Sequence, residues 1–378
     1  MIKIEKLRLP LFSSENQTYI CPVLGNRDDF DTSLRLAKGW KYFKYLKVIQ
    51  NVSGKYFKSL LNTEEFLQAS NKFSTHCGQE AENLVENLVK KRNSILNLDC
   101  SRPNIMGVIN ITPDSFFKGS RVLNLKSFEQ KIDEFKNLNV DIVDIGGESS
   151  RPGSKQISSK EEFSRIDKYL KQLSSKNENL MISLDSRNFD TIKKSLKYNV
   201  TIINDISGIS DERVMNLVAK NKICLILMHM QKRPENMQQN PCYDFAPIDI
   251  YNFFRKKINL LLKSGIKLSQ IIIDPGFGFG KKLEHNVHLL KYLPMFHTLG
   301  VPLLVGISRK KMIENISQKK FLYAKKNNLI FPPEKRLGGS IALDLMAYQN
   351  GVQFIRTHNI LETLQSIYCA EEVDINLC

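Results

Sequence analysis

The chain lacks the cysteine patterns that build disulfide frameworks or zinc sites. Its 378 residues include seven cysteines, an odd number, and they are scattered singly with no C-x-x-C pair. We therefore expect free thiols in a reducing compartment, and a cytoplasmic location is the simplest interpretation. His285 and His288 stand three residues apart. Because no Cys or carboxylate pattern accompanies them, we do not interpret them as zinc ligands.

Long apolar runs are also missing. No run reaches the length that a bilayer-spanning helix needs. The start, MIKIEKLRLP, has no apolar core followed by a small-residue cleavage site, so we expect no secretory signal. We expect no membrane partner.

Acidic residues are fewer than basic ones, 39 against 55, which gives a net charge of +16. Such a charge attracts anions, including nucleic acid, but a lysine-rich solvated surface is the simpler explanation. A phosphorylated small substrate would suit it. A non-catalytic nucleic-acid-binding protein stays as a rival hypothesis, although we expect no nucleic-acid partner.

The character of the sequence changes near residue 101. Before it we find no chemical motif, only helical stretches such as Thr63–Ser70 and Glu80–Val89. We therefore predict an N-terminal, mainly helical extension over residues 1–100, of unknown role, and a second domain over residues 101–378. A hydrophobic content of 42% is enough for a substantial core.

From residue 104 onward, short apolar runs alternate with helical patterns, which is typical of βαβ units in an α/β fold. The predicted strands are Asn104–Ile109, Val140–Ile145, Leu180–Leu184, Val200–Ile203, Ile223–Met228, Ile271–Ile273, Leu303–Gly306 and Phe354–Arg356. The predicted helices are Leu125–Leu138, Lys160–Leu173, Phe189–Lys197, Asp211–Asn221, Ile250–Lys263, Glu284–Tyr292, Ser340–Asn350 and Ile360–Cys369. Eight units in this length predict a (β/α)8 TIM barrel, and a doubly wound open sheet is the rival.

Polar residues follow nearly every predicted strand, and this favours the barrel, which gathers all eight strand ends on one rim. Asp185, Asn204 and Asp274 could hydrogen-bond the edge of a flat, nitrogen-rich heterocycle, although each alone could be a helix cap. A cationic set matches an anionic group: Arg151, Arg309, Lys310, Arg356 and His358. The glycine-rich run 276–280 lacks nucleotide-binding spacing, and Phe279 within it could stack on an aromatic ligand or simply fill the core.

Taken together, these segments resemble the dihydropteroate synthase family over about residues 104–372. The segments are GVINITPDSF (107–116), DIGGESSRPG (144–153), SLDS (183–186), INDI (203–206), MHMQ (228–231), DPGFGFGK (274–281), GISRK (306–310), RLGGS (336–340) and RTH (356–358). As an ordered set they are highly specific. The resemblance implies condensation of a pterin pyrophosphate with p-aminobenzoate, Mg²⁺ as cofactor, and a homodimer.

The resemblance also implies roles for individual residues. The pterin would be held or lined by Asp185, Asn204, Ile206, Met230, Asp274, Phe279, Gly306, Lys310 and Arg356. The p-aminobenzoate would be bordered by Phe116, Ser150, Arg151, Pro152, Phe279, Ser308 and Lys310. Asn110 would bind Mg²⁺ with the pyrophosphate. The residues expected to act in catalysis are Asn110, Asp114, Arg151, Lys310, Arg356 and His358.

Two positions depart from the family pattern. Lys118 stands where an acidic residue is usual, and Lys311 stands where some members carry serine. The nearest rival is a pterin-binding methyltransferase barrel, which would need no pyrophosphate site. In some organisms the synthase is fused to the preceding pyrophosphokinase, so residues 1–100 could be a degenerate remnant. A packing or dimer-supporting extension is equally compatible with the sequence.

Overall fold

The computed structural model describes residues 4–11, 16–112, 124–175, 180–323 and 330–375. Its first part is a sheet of β1 (Ile4–Lys6), β2 (Gln17–Gly25), β3 (Leu34–Arg35), β4 (Tyr42–Val52) and β5 (Lys55–Asn62), followed by helices α1 (Thr63–Phe73) and α2 (Thr75–Val89). The strand order is β1-β5-β4-β2, with β3 also paired to β4. The prediction of a mainly helical extension is therefore wrong, although both predicted helical stretches are confirmed.

The sheet forms because its strands are rich in β-branched and aromatic residues. A two-residue turn at Ser53 and Gly54, both with positive φ, joins β4 to β5. Alternate residues bury opposite faces of this sheet. Ile20 and Val48 pack with Phe66 of α1, whereas Tyr19 and Ile49 join the main core of the barrel.

The rest of the chain is the predicted barrel. Its strands are β6 (Asn104–Asn110), β7 (Ile142–Gly146), β8 (Met181–Asp185), β9 (Val200–Asp205), β10 (Cys224–Met228), β11 (Ile271–Asp274), β12 (Leu304–Val305) and β13 (Phe354–Thr357). All pairs in the order β11-β10-β9-β8-β7-β6-β13-β12 are parallel. A parallel bridge between Ile273 and Leu303 closes the ring, so the open-sheet alternative is wrong.

Helices surround the strands, as expected for this architecture. They are α3 (Leu125–Asn137), α4 (Ser159–Ser175), α5 (Phe189–Ser195), α6 (Glu212–Asn221), α7 (Ala246–Lys263), α8 (Leu283–Lys291), α9 (Lys311–Tyr323), α10 (Leu337–Gln349) and α11 (Ile360–Ile375). The eight predicted helices are confirmed, and α9 was not predicted. No helix of the described residues is long and apolar enough to span a membrane.

The N-terminal end of the barrel is closed by the segment that connects α2 to β6. Ile95, Leu98 and Cys100 are buried against inward-facing residues of the strands, among them Ile142 and Ile226. This plug is apolar, so ligands reach the barrel interior from the opposite end, where the strands terminate in polar residues.

Side chains also fasten the N-terminal sheet to the barrel helices. Trp40 stacks on Tyr348 with ring centroids 5.4 Å apart and donates a hydrogen bond from Nε1 to its carbonyl oxygen at 3.0 Å. The buried Arg92 donates to the His297 carbonyl oxygen at 2.7 Å. The described cysteines, which are Cys21, Cys77, Cys100, Cys224, Cys242 and Cys369, are all free thiols, as expected.

Candidate active site

Three neighbouring strands end in an acidic and amide cluster. The register pairs Gly146 with Asp185 and Asp185 with Asn204, so the ends of β7, β8 and β9 lie side by side. Asp144, two residues before Gly146 in β7, is 1% exposed. Its carboxylate accepts hydrogen bonds from Ser183 Oγ at 2.6 Å and Asn204 Nδ2 at 3.1 Å.

Arg356 joins this cluster from β13, across the barrel mouth. Its Nε donates to Asp144 Oδ2 at 2.7 Å and a terminal nitrogen donates to Asp185 Oδ2 at 3.0 Å. Burial raises the pKa of Asp185 to about 7, the neighbouring Asp144 charge adds to the rise, and Arg356 opposes it. Arg356 thus binds both adjacent carboxyl groups and opposes the rise in the pKa of Asp185 in a poorly solvated place.

Asp274 and Lys310 form the second half of the polar rim. Burial raises the pKa of Asp274, whereas the Lys310 charge lowers it, and Asp274 Oδ1 accepts from the Gly276 backbone at 2.8 Å. Lys310 donates to the Phe277 carbonyl oxygen at 2.7 Å, and its ammonium lies 4.5 Å from the centroid of the Phe279 ring. Burial lowers the pKa of Lys310 to about 8, with Asp274 acting in the opposite direction.

The glycine turn 276–280 brings Phe279 to the rim. Gly276 has φ of +69°, and a Cβ there would lie 2.1 Å from the His229 carbonyl oxygen, so only glycine fits. Below the turn, the buried Lys281 ammonium donates to the carbonyl oxygens of Gly276 at 2.8 Å and Phe279 at 3.0 Å. Lys281 therefore fixes the turn that carries Phe279.

A cavity of about 410 Å³ opens beside these groups at the C-terminal end of the barrel. It is lined by nine of the predicted site residues, namely Asn110, Ser150, Arg151, Pro152, Phe279, Ser308, Lys310, Arg356 and His358. Its described lining has no Asp or Glu, whereas six lining residues are Lys or Arg: Arg151, Lys281, Lys282, Lys310, Lys311 and Arg356. The cavity is therefore suited to an anionic ligand.

His358 stands at this cavity as a neutral group. Burial lowers its pKa to about 3, with Arg356 and Lys310 acting in the same direction. Its Nδ1 lies 3.1 Å from Ser308 Oγ. A neutral imidazole can offer one donor and one acceptor to a phosphate or carboxylate without adding charge.

Other predicted residues lie beside the cavity. Ile206 and Asp185 line a small recess together with Ser150. Gly306 faces Arg356, whose Cβ would be 3.5 Å from a Cβ at that glycine. Asn204 is buried behind Asp144. Asp274 is also buried, at the end of β11 beside the cavity.

Of the predicted site residues, two lie away from this cavity and two lie outside the described residues. Met230 lines a separate cavity with Lys232 and Arg233 on the outer side of the rim. Arg309 binds Asn359 Oδ1 through Nε at 2.7 Å and the Glu334 carbonyl oxygen at 2.8 Å, so it holds loops together and does not line the cavity. Asp114 and Phe116 lie outside the described residues, as does Lys118.

The sequence alone did not lead us to a role for Asp144, although Asp144 is the first residue of the motif DIGGESSRPG. A signal was present, because an aspartate in the middle of the apolar run IVDIG needs a buried partner. Lys281 was missed in the same way. Lys281 is buried because the tight glycine turn folds back over it. The residue types alone do not show where that turn lies.

Comparison with known proteins identifies the family. The model for pterin binding enzymes matches residues 106–358. The chain belongs to the dihydropteroate synthase family of pterin-binding enzymes. It is 36% identical over 275 residues to dihydropteroate synthase of Escherichia coli strain K12, which covers 73% of this chain and 93% of that protein. About a quarter of this chain thus has no counterpart in that relative.

Solved structures agree. The Yersinia pestis dihydropteroate synthase in complex with a sulfonamide drug has a TM-score of 0.67 and 36% identity, covering 73% of this chain and 96% of that one. The Coxiella burnetii synthase in complex with pteroic acid has a TM-score of 0.63 and 30% identity, covering 72% and 94%. These similarities confirm the barrel and the family that the motifs predicted.

Proposed function

We propose that this protein is a dihydropteroate synthase that condenses 6-hydroxymethyl-7,8-dihydropterin pyrophosphate with p-aminobenzoate. The observation that carries the proposal is one rim with two halves of different chemistry. On one side, carboxylates and an amide lie together. On the other side opens a cavity whose lining, among the described residues, is cationic, neutral polar or apolar. A pterin edge with donors fits the first half, and a diphosphate and a benzoate carboxylate fit the second.

The pterin would be held by acceptors at the ends of β8 and β11. Asp185 and Asp274 would accept from the ring N–H and amino groups, and Asn204 can both donate and accept. Because these groups start from rigid strand ends and are partly desolvated, their hydrogen bonds are stronger than in water. Arg356 would lie against the ring and its diphosphate while it remains bonded to Asp144.

The chemical step needs charge stabilisation more than a base. The bond between the exocyclic carbon and oxygen breaks, and pyrophosphate leaves with the electron pair. The p-aminobenzoate nitrogen bonds to that carbon and loses a proton to solvent. Arg151, Lys310 and Arg356 would stabilise the charge that develops on the leaving group, and Phe279 would hold the benzoate ring.

Mg²⁺ suits the described residues as an ion shared with substrate. No group of three or more His, Cys, Asp or Glu side chains among the described residues could hold a metal. Mg²⁺ commonly keeps several waters and binds through substrate phosphates with one or two protein oxygens. The Asn110 amide oxygen at the end of β6 would be such a ligand, and the ion would neutralise charge on the pyrophosphate.

The rival barrel chemistry, methyl transfer from a bound pterin, needs no diphosphate site. The cationic cavity beside the acidic cluster therefore favours the synthase. We also propose that residues 1–100 form an added unit, that residues 101–378 are the catalytic domain, and that the enzyme is a cytoplasmic homodimer. The plug and the Trp40 contact support a packing role for the added unit, and light scattering would measure the oligomeric state.

Isothermal titration with the pterin pyrophosphate, with and without Mg²⁺, tests the proposal. We expect binding that Mg²⁺ strengthens, and we expect Asp274→Ala to abolish it. Asp133→Ala is the matched control because Asp133 is exposed on α3. Unchanged affinity in the Asp274 variant would refute its assigned role, and absence of pterin binding by the unaltered protein would refute the function.

A further inference from the structure

The segment between β10 and α7 is the longest connection on the rim that is fully described, and it has its own bracing. Gln231 exchanges two hydrogen bonds with the Cys242 backbone, at 2.7 Å from its Nε2 and 3.2 Å to its Oε1. Inside this closed loop, the Asn236 side chain accepts from the Arg233 backbone at 3.1 Å. Residues 231–243, called the β10 loop below, are thus a small preformed unit.

One side of the β10 loop holds the loop that carries Arg151. The Gly153 backbone donates to the Pro234 carbonyl oxygen at 3.0 Å. The Gln156 backbone donates to Glu235 Oε1 at 3.2 Å. Both bonds join segments about 80 residues apart in sequence, so they fix the position of a wall of the cavity that Arg151 and Pro152 line.

The other side of the β10 loop holds the glycine turn that carries Phe279. Gln238 Nε2 donates to the Gly278 carbonyl oxygen at 2.6 Å, and the Tyr243 hydroxyl donates to the Gly280 carbonyl oxygen at 2.8 Å. The contact is close, because a Cβ at Gly280 would lie 2.8 Å from the Gln231 carbonyl oxygen. Met237, between Glu235 and Gln238, is 1% exposed and lines the cavity.

We infer that the β10 loop couples the two walls of the p-aminobenzoate pocket, with Glu235 and Gln238 as positioning residues. The inference rests on the proposed function. We assign neither side chain a part in the chemical step, and Gln238 also lines the cavity, whereas Glu235 does not. Each fixes a wall through one hydrogen bond to backbone, and the bound benzoate ring requires the Pro152 wall and the Phe279 wall at a set separation.

Steady-state kinetics with both substrates tests this with Glu235→Ala and Gln238→Ala. Loss of one such bond should raise KM for p-aminobenzoate by about three- to tenfold, because the net free energy of one hydrogen bond corresponds to a factor of about that size in affinity. We expect kcat and KM for the pterin pyrophosphate to stay within about twofold, since the strand-borne carboxylates do not depend on the loop. Glu235→Gln retains an acceptor oxygen and should restore KM.

Gln239→Ala is the matched control. Gln239 is an exposed neighbour in the same loop, and both described bonds at this residue use its backbone, one its oxygen and one its nitrogen. We expect wild-type kinetics from it. Glu235→Ala and Gln238→Ala variants with the KM of the control, or a Glu235→Gln variant as impaired as Glu235→Ala, would overturn the inference. An unaltered protein without synthase activity would instead overturn the proposed function, so the two failures are distinguishable.

Discussion

The Asp144→Asn variant examines the network that holds Arg356 at the rim. The replacement keeps the shape of the side chain, but it removes the charge and leaves one acceptor oxygen. In the unaltered protein, the Asp144 carboxylate accepts hydrogen bonds from Ser183 at 2.6 Å, Asn204 at 3.1 Å and Arg356 at 2.7 Å. In the best arrangement the amide oxygen faces Asn204 and Arg356 and the amide nitrogen faces the Ser183 hydroxyl, so the neutral bonds survive.

The variant loses the ionic part of the bond to Arg356, because the amide oxygen that still accepts from Arg356 carries no charge. A hydrogen bond to a charged group contributes about 1.5–3 kcal/mol, and 1.4 kcal/mol corresponds to a factor of ten. We therefore expect kcat/KM for the pterin pyrophosphate to fall about 10- to 150-fold. The loss should not reach the cost of an unpaired buried ion, because Arg356 retains Asp185 at 3.0 Å.

A pyrophosphate-release assay measures the effect. Ser183→Ala is the control, because it removes a single hydroxyl from the same carboxylate and should cost at most about tenfold. Circular dichroism verifies that both variants are folded. An Asp144→Asn enzyme that is folded and within about twofold of the unaltered protein would refute the claim that Asp144 positions Arg356.

Three further predictions concern charge and stability. Because the pKa of Lys310 is lowered to about 8, its cation is lost as pH rises through that value, so kcat/KM should fall above it, and Lys310→Arg should lose that alkaline limb. Burial raises the pKa of Asp344 from 3.8 to about 7, so the folded chain binds an extra proton between these values and its stability falls as pH rises through that window. Asp344→Asn should thus be stabilising by up to about 4 kcal/mol at pH 8 and by less at pH 5, and thermal unfolding at both pH values checks the sign. Trp40→Ala should lower the free energy of unfolding by about 2 kcal/mol in urea titration, because Trp40 is half-buried against Tyr348.

The sequence predicts the barrel and much of its rim because strand ends in such a fold converge by necessity. Asp185 and Asn204 come together simply because β8 and β9 are neighbours. The order of residues in the sequence does not show with which partner a charged side chain will pair. Arg356 turns inward to Asp144, whereas Arg309, beside Lys310 in sequence, turns away to Asn359, and only packing decides between them.

The N-terminal sheet was not predicted, for a different reason. Its strands carry lysines and asparagines among β-branched and aromatic residues, as in YFKYLKVIQNV of β4, so their period-two pattern is weak. One face of the sheet is buried only because the barrel covers it, and that contact is long-range. The helices α1 and α2 were predictable because local capping marks them, such as the pairing of Asn62 with Glu65.

The stoichiometry of the complete reaction tests the proposed synthase activity most directly. Purified protein should be incubated with pterin pyrophosphate, p-aminobenzoate and Mg²⁺, and dihydropteroate and pyrophosphate should be quantified together. We expect both products to appear in equal amounts and neither to accumulate when either organic substrate is omitted. Pterin binding without any pyrophosphate release in the complete mixture would contradict the proposed activity.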